Sequence, residues 1–219
     1  MRGPAPRILL INPNTSHATT AMMVALAQAE AGDRMAVEGT TAASGVPMIL
    51  DEAALAASAD QVVAIGTRAA GAAGMIVAAF GDPGLDTLRG SVTVPVVGLC
   101  EAGMLEAAAG GRRFGVATTT PGLAAAIDAK ARALGLGPLY TGIRLTPGDP
   151  AALVADPQRL EQALADAVVL AIERDGAEAV VIGGGPLGRA AGALERRFAV
   201  PVIGPVPAAV RRLARLLER

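Results

Sequence analysis

Arg7-Ile-Leu-Leu-Ile-Asn-Pro-Asn-Thr-Ser16 is a short apolar run that closes on a polar loop containing proline. A run of this kind is typical of a strand buried on both faces of a parallel sheet. The Asn, Thr and Ser residues that follow are favoured at helix N-caps, and residues 18–31 have the composition of a helix. This strand–loop–helix order predicts an α/β fold.

The same order recurs along the chain and repeats itself in the second half. Val94-Pro-Val-Val-Gly98 returns as Val200-Pro-Val-Ile-Gly204, and the strand that begins at Arg7 returns at Arg113, both 106 residues later. Any α/β chain looks periodic to some extent, but motifs in one order at one offset favour an internal duplication. We predict two pseudo-symmetric domains, each a parallel sheet flanked by helices: residues 1–97 plus 205–219, and residues 98–204.

The predicted active-site cleft lies between the two domains. Ligands of open parallel sheets bind beyond the carboxyl ends of the strands. Two such sheets that face each other place strand-end loops around one cleft, at 12–16, 79–84, 118–122 and 183–187. We therefore expect these loops to line a single pocket.

The composition excludes several classes of protein. The chain has 219 residues, 52% of them hydrophobic and 18% charged, so it is long and apolar enough to bury a core. A net charge of −1 and 2% aromatic residues leave no basic field or stacking surface for nucleic acid. One His and one Cys exclude a disulfide within the chain and a multi-ligand His/Cys metal site.

The lengths of the apolar runs bear on the cellular location of the protein and on its binding partners. They extend over four to six residues, whereas a helix that spans a bilayer needs about 20. Residues 1–7 carry two Arg but lead into an apolar run too short for a signal peptide. We predict a cytoplasmic protein that binds a small molecule, contacts neither nucleic acid nor membrane, and is compatible with a homo-oligomer.

Three of the four loops carry groups that suit a small anion. The loop 12–16 offers amides and hydroxyls before a helix N-terminus, which binds oxyanions but is also an ordinary cap. Thr118-Thr-Thr-Pro121 carries more hydroxyls than one cap requires, and Gly183-Gly-Gly-Pro186 lets backbone come close to a ligand or to another strand. The glycine loop has neither the Lys of a Walker loop nor dinucleotide spacing.

Few side chains are candidates for proton transfer. His17 stands at the start of the first helix, where an exposed or capping role competes with a catalytic one. Cys100 follows the Val-Pro-Val strand and precedes Glu101, and a buried inert cysteine is the simpler interpretation. Asp82 precedes a proline and fits a turn.

Four motifs resemble one known family. The Ile-Asn-Pro-Asn-Thr-Ser segment at 11–16, the Phe-Gly-Asp-Pro-Gly loop at 80–84, the Val-Pro-Val-Val-Gly-x-x-Glu-Ala run at 94–102 and the Thr-Thr pair at 118–119 resemble the aspartate/glutamate/hydantoin racemase superfamily, nearest to its hydantoin and allantoin racemase branch. The resemblance extends over nearly the whole chain. It implies a cofactor-free enzyme in which two cysteines face each other across the substrate α-carbon, one thiolate removing a proton and the other thiol delivering one.

The sequence departs from that family at both cysteines. The resemblance places the first at position 79, where this chain has Ala79, and the second at position 184, where it has Gly184. Neither side chain ionises, so the two-thiol mechanism cannot operate. The resemblance still implies a substrate-binding set: Asn12, Asn14, Ala79, Phe80, Thr118, Thr119, Gly184 and Gly185.

Three functions stay open at this point. The first is an isomerase or lyase in which Thr and backbone donors stabilise an enolate and Cys100, Glu101 or His17 handles the proton. Decarboxylation fits such a site, because the bond cleavage needs no initial base. The second is a racemase with other bases, such as Asp82 or Glu101, and the third is a homologue that binds a small ligand without catalysis. We expect no racemisation of hydantoins, allantoin, aspartate or glutamate at rates typical of enzymes.

Overall fold

Two four-stranded parallel sheets form the framework of the computed structural model, which describes residues 4–218. The first consists of β1 (Arg7–Asn12), β2 (Ala36–Thr41), β3 (Gly74–Val77) and β4 (Val96–Gly98), in the order β2-β1-β3-β4. The second consists of β5 (Phe114–Thr118), β6 (Tyr140–Leu145), β7 (Ala179–Ile182) and β8 (Val202–Ile203), in the equivalent order β6-β5-β7-β8. The predicted α/β class is confirmed. Residues 1–3 and 219, at the outer ends of the predicted first domain, lie outside the described residues.

Helices connect the strands, as parallel pairing requires. They are α1 (His17–Ala31), α2 (Glu52–Ala57), α3 (Ala59–Arg68), α4 (Leu85–Ser91), α5 (Leu99–Ala107), α6 (Ala124–Ala133), α7 (Pro150–Ala155), α8 (Pro157–Glu173), α9 (Gly188–Glu195) and α10 (Pro205–Leu217). Ser16 caps α1, since its Oγ accepts the N–H of Thr19 at 3.2 Å, and Asp156 caps α8 in the same way. Within residues 4–218, no helix is long and apolar enough to cross a membrane.

Two helices cross from one sheet to the other. α5 follows the first sheet yet packs on β7 and β8, and α10 follows the second sheet yet packs on β3 and β4. A glycine permits each close approach. A Cβ at Gly103 would lie 2.9 Å from Val181 Cγ1, and a Cβ at Gly74 would lie 2.9 Å from Leu213 Cδ1. The crossing helices begin at the domain boundaries predicted from the repeat, and those boundaries stay a prediction.

Equivalent hydrogen bonds fix the ends of the central strands in both sheets. Ala78 donates its N–H to the carbonyl of Ile11 at 2.8 Å, and Gly183 donates its N–H to the carbonyl of Ala117, also at 2.8 Å. The central strands β3, β5 and β7 are buried along their whole length. The loops that follow them therefore leave each sheet from its carboxyl edge.

Candidate functional site

The four strand-end loops meet at one cavity, which holds about 590 Å³ when the space open to solvent at its mouth is included. The loop residues that line it are Asn14, Ala78, Ala79, Phe80, Thr119, Thr120, Gly183, Gly184, Gly185, Pro186 and Leu187. Apolar side chains complete the wall: Met48, Ile49, Leu123, Ile127 and Val154. The convergence of the loops that the repeat predicts is therefore observed.

A buried amide network orients the polar group of the first loop. Asn12 is fully buried behind the cavity, and its Nδ2 donates to Asn14 Oδ1 and to Thr20 Oγ1, both at 2.9 Å. Asn14 Oδ1 also accepts the N–H of Ser16 at 2.9 Å. Because both donors use Oδ1, the Nδ2 group of Asn14 is the atom left to donate to a bound compound. Asn12 thus acts by orienting Asn14.

The loop 118–122 contains three threonines, one of which holds neighbouring backbone in place while the other two line the cavity. Thr118 is buried, and its hydroxyl donates to the carbonyl of Gly183 at 2.6 Å, which joins the loops after β5 and β7. Thr119 and Thr120 line the cavity, with their hydroxyl oxygens 3.5 Å apart. The cavity therefore has hydroxyl donors on the side of the second sheet and an amide donor on the side of the first.

The positions that the resemblance assigns to cysteine both line the cavity. Ala79 ends in a methyl group, and Gly184 has no side chain at all. Gly184 has φ 154° and ψ 133°, a conformation in which a side chain is strained. A Cβ built there would lie 3.1 Å from both Cγ and Cδ1 of Leu187. The backbone of this loop is thus shaped around a glycine.

Cys100 lies behind the cavity wall and does not line it. Its side chain is fully buried near the start of α5, under the loop 79–84. Burial raises the pKa of the Cys100 thiol well above its ordinary value, and the carboxylate of Asp82 raises it further. The thiol is therefore neutral at physiological pH. The thiol does not contact the cavity, and its catalytic role stays a prediction.

Glu101 and His17 are also absent from the cavity lining. Glu101 is buried, forms an ion pair with Arg89, and lies with its Oε1 3.6 Å from Nε of Arg212. Two guanidinium groups thus balance its charge. His17 is exposed at the first residue of α1. Their predicted catalytic roles are not supported by contact with the cavity, and they stay predictions.

Sequence reasoning missed the apolar wall and the ion pair between Asp82 and Lys130. Met48 and Ile49 belong to an irregular segment after β2, and Val154 belongs to α7. The apolar triplet at 48–50, within a loop of small and polar residues, was a visible indication of burial. Lys130 of α6 approaches Asp82, with 3.4 Å between Nζ and Oδ2. Among the described residues, none that lines the cavity has an ionisable side chain.

Comparison with known proteins identifies the family of the chain and agrees with its fold. The sequence model of the Asp/Glu/Hydantoin racemase family matches residues 8–213. The chain belongs to this family. Among its relatives, a hydantoin racemase of Rhizobium meliloti is 35% identical over 150 residues, which is 68% of this chain and 62%, less than two thirds, of that protein. A hydantoin racemase of Paenarthrobacter aurescens is 29% identical over 94% of this chain and 88% of that protein.

Solved structures of two other proteins share the fold. The allantoin racemase from Klebsiella pneumoniae is 30% identical, with a TM-score of 0.92 over 98% of this racemase-family chain and 88% of that chain. Arylmalonate decarboxylase is 20% identical, with a TM-score of 0.67 over 97% of this chain and 92% of that chain, and this likeness concerns the fold alone. The family resemblance read from the motifs is therefore confirmed.

Proposed function

We propose that the cavity binds a small polar carbonyl or carboxylate compound and acts on it by chemistry that uses no cysteine. One observation carries this proposal: hydrogen-bond donors and apolar side chains line the cavity, whereas no described residue of its lining ionises. A hydantoin-like ring, an amino acid or a small dicarboxylate fits this description. Hydantoin and allantoin are the first compounds to test, because they name the activities of the relatives.

The donors favour ligands that present oxygen acceptors. The Nδ2 group of Asn14 is free to donate because its Oδ1 already accepts from Asn12 and Ser16. The hydroxyls of Thr119 and Thr120 supply donors from the opposite loop. Donors of this kind stabilise a developing enolate oxygen as well as a ground-state carbonyl.

Racemisation by two side-chain bases is not part of this proposal. Such a reaction needs one proton-transfer group on each face of the α-carbon. Ala79 and Gly184 occupy the two positions where the family resemblance expects them, and neither carries such a group. The loss of one positioned acid or base costs about 10²–10⁴-fold in rate, and here both are missing.

The apolar wall favours decarboxylation as a second candidate. Its side chains are Met48, Ile49, Phe80, Leu123, Ile127 and Val154. A substrate carboxylate placed against this wall loses hydration, which promotes cleavage of its C–C bond to release CO₂. The bonding electrons pass to the α-carbon and onto a neighbouring carbonyl oxygen held by the threonine and amide donors. Water then supplies the proton to the α-carbon.

The decisive experiment measures exchange, turnover and binding with the same compounds. Single enantiomers of 5-methylhydantoin, allantoin, aspartate and glutamate are incubated in heavy water while α-deuterium and optical rotation are followed. Release of CO₂ from an α-substituted malonate is measured in parallel, and binding of each compound by calorimetry. CO₂ release with α-deuterium in the product supports the lyase, whereas rapid inversion contradicts the lyase and supports a racemase that uses other bases. Binding without any turnover supports the non-catalytic homologue instead.

A further inference from the structure

We infer that Asp82 is a positioning residue for the cavity: with Lys130, its carboxylate clamps the turn 79–82 between the two halves of the chain and so fixes Ala79 and Phe80 in the cavity wall. The inference rests on the proposed function, because the wall it concerns belongs to the proposed binding cavity. Asp82 itself does not line the cavity, so it acts through its neighbours in the turn.

The carboxylate of Asp82 binds the N-terminal N–H groups of α5, a helix from another part of the chain. Its Oδ1 accepts the N–H of Cys100 at 2.7 Å, and its Oδ2 accepts the N–H of Glu101 at 2.9 Å. These N–H groups belong to the first turn of α5, which has no partner for them within the helix. The residue at the N-cap is Gly98, and a Cβ there would lie 2.3 Å from Asp82 Cγ. The absence of a side chain at 98 thus makes room for the carboxylate.

The same residue holds the turn that reaches the cavity. The N–H of Asp82 donates to the carbonyl of Ala79 at 3.1 Å, which closes the turn. Asp82 has φ 53°, the left-handed conformation that Asp and Asn tolerate better than other residues with a side chain. The side chain of Asp82 is therefore anchored to α5 and its backbone to Ala79. A movement of the carboxylate moves the cavity wall.

Lys130 connects this anchor to the second half of the chain. Its Nζ lies 3.4 Å from Asp82 Oδ2, and the Asp82 side chain has no exposed surface. The negative charge of Glu101 also acts on this carboxylate, and Glu101 itself pairs with Arg89 and Arg212. Burial raises the pKa of Asp82 from 3.8 to about 6, although Lys130 and the two N–H donors oppose this rise.

The position of the turn is consequently coupled to the charge of Asp82. An opening of the turn that brings Asp82 into water returns its pKa towards 3.8. Opening therefore becomes easier as the pH rises through about 6, where the buried carboxyl loses its proton. Lys130 limits the effect, because its positive charge stabilises the buried carboxylate.

The test combines a double-mutant cycle of Asp82→Asn and Lys130→Met with Asp86→Asn as the control. Asn keeps the left-handed backbone but cannot carry the charge, and the side chain of Asp86 is 92% exposed. Hydrogen exchange in the peptide 79–84 is measured between pH 5 and 8 and divided by the intrinsic rates. Affinity for allantoin is measured by calorimetry over the same range.

We expect the corrected exchange of the wild type to rise by about tenfold between pH 5 and pH 7 and to level off above that, where the buried carboxyl is ionised. Lys130→Met should raise exchange further at pH 7.5 and weaken allantoin binding several-fold. Both effects of Lys130→Met, and the pH dependence itself, should vanish in the Asp82→Asn background and persist with Asp86→Asn. If Asp82→Asn does not fold, the wild type and Lys130→Met still decide the sign of the pH dependence.

Three results would overturn the inference. The first is hydrogen exchange in 79–84 that does not change in Lys130→Met. The second is an equal effect of Lys130→Met in the wild type and in Asp82→Asn. The third is a changed exchange rate in Lys130→Met with unchanged affinity for allantoin. A wild type that binds neither allantoin nor hydantoin, but shows the expected exchange pattern, contradicts the proposed function and leaves the clamp standing. The two failures are therefore distinguishable.

Discussion

Gly184 has a backbone conformation that resists replacement. At φ 154° and ψ 133° a side chain is strained, and a Cβ there approaches Leu187 to 3.1 Å. We predict that Gly184→Cys lowers the free energy of unfolding by about 1–3 kcal/mol, whereas Ala79→Cys changes it by less than about 1 kcal/mol. Urea unfolding measures both. The double variant should gain slow racemisation of 5-methylhydantoin, and a double variant as stable as the wild type would show that the loop is not shaped around glycine.

The hydroxyl of Thr119 is a donor in the cavity wall that can be removed with little change in side-chain shape. Valine has nearly the same shape, so Thr119→Val removes the hydrogen bond and little else. We predict that it weakens the binding of allantoin, or of whichever compound the experiment under Proposed function shows to bind, by about 1–3 kcal/mol. Calorimetry measures the change, and Thr67→Val is the control, since Thr67 is exposed on α3. Equal affinities of wild type and Thr119→Val would place the ligand elsewhere.

The crossing helices show how elements hold the site together. Gly103 of α5 has no room for a side chain, because a Cβ would lie 2.9 Å from Val181 Cγ1. Gly103→Ala is expected to destabilise the fold by about 1–3 kcal/mol through overpacking. The control is Gly90→Ala in α4, where a Cβ meets nothing within 4 Å, and we expect it to be neutral or stabilising by about 0.5–1 kcal/mol. Urea midpoints in which Gly103→Ala matches Gly90→Ala would contradict this packing.

At the same scale, the elements explain which parts of the site could be predicted from the sequence. The loops 79–84 and 183–187 follow short apolar runs, so their place at the carboxyl edge follows from parallel pairing alone. Met48 and Ile49 could not be placed, because their segment has no periodicity. The segment is positioned by its close packing on Gly122. A Cβ at Gly122 would lie 2.5 Å from the carbonyl oxygen of Leu50, so this approach needs a glycine. The ion pair between Asp82 and Lys130 depends on how the two halves of the chain pack, so the sequence around either residue does not predict it.

Across the whole molecule, a buried carboxylate at the junction of the halves makes stability depend on pH. The pKa of Asp82 is raised by burial from 3.8 to about 6. A carboxyl whose pKa is higher in the folded state stabilises the fold fully below pH 3.8 and loses that contribution as the pH rises through about 6. Asp82→Asn has no such contribution, because its amide does not titrate. The difference between the two proteins isolates Asp82 from every other titrating group.

We therefore predict that the free energy of unfolding of the wild type, relative to Asp82→Asn, falls by about 2 kcal/mol between pH 4 and pH 7. Urea unfolding of both proteins at pH 4, 5, 6 and 7 measures this difference. In Lys130→Met the fall should be larger and extend above pH 7, because the lost ammonium raises the pKa of Asp82 further. A difference that is constant with pH, or that grows as the pH rises, would show that Asp82 is not held as a desolvated carboxylate between the halves.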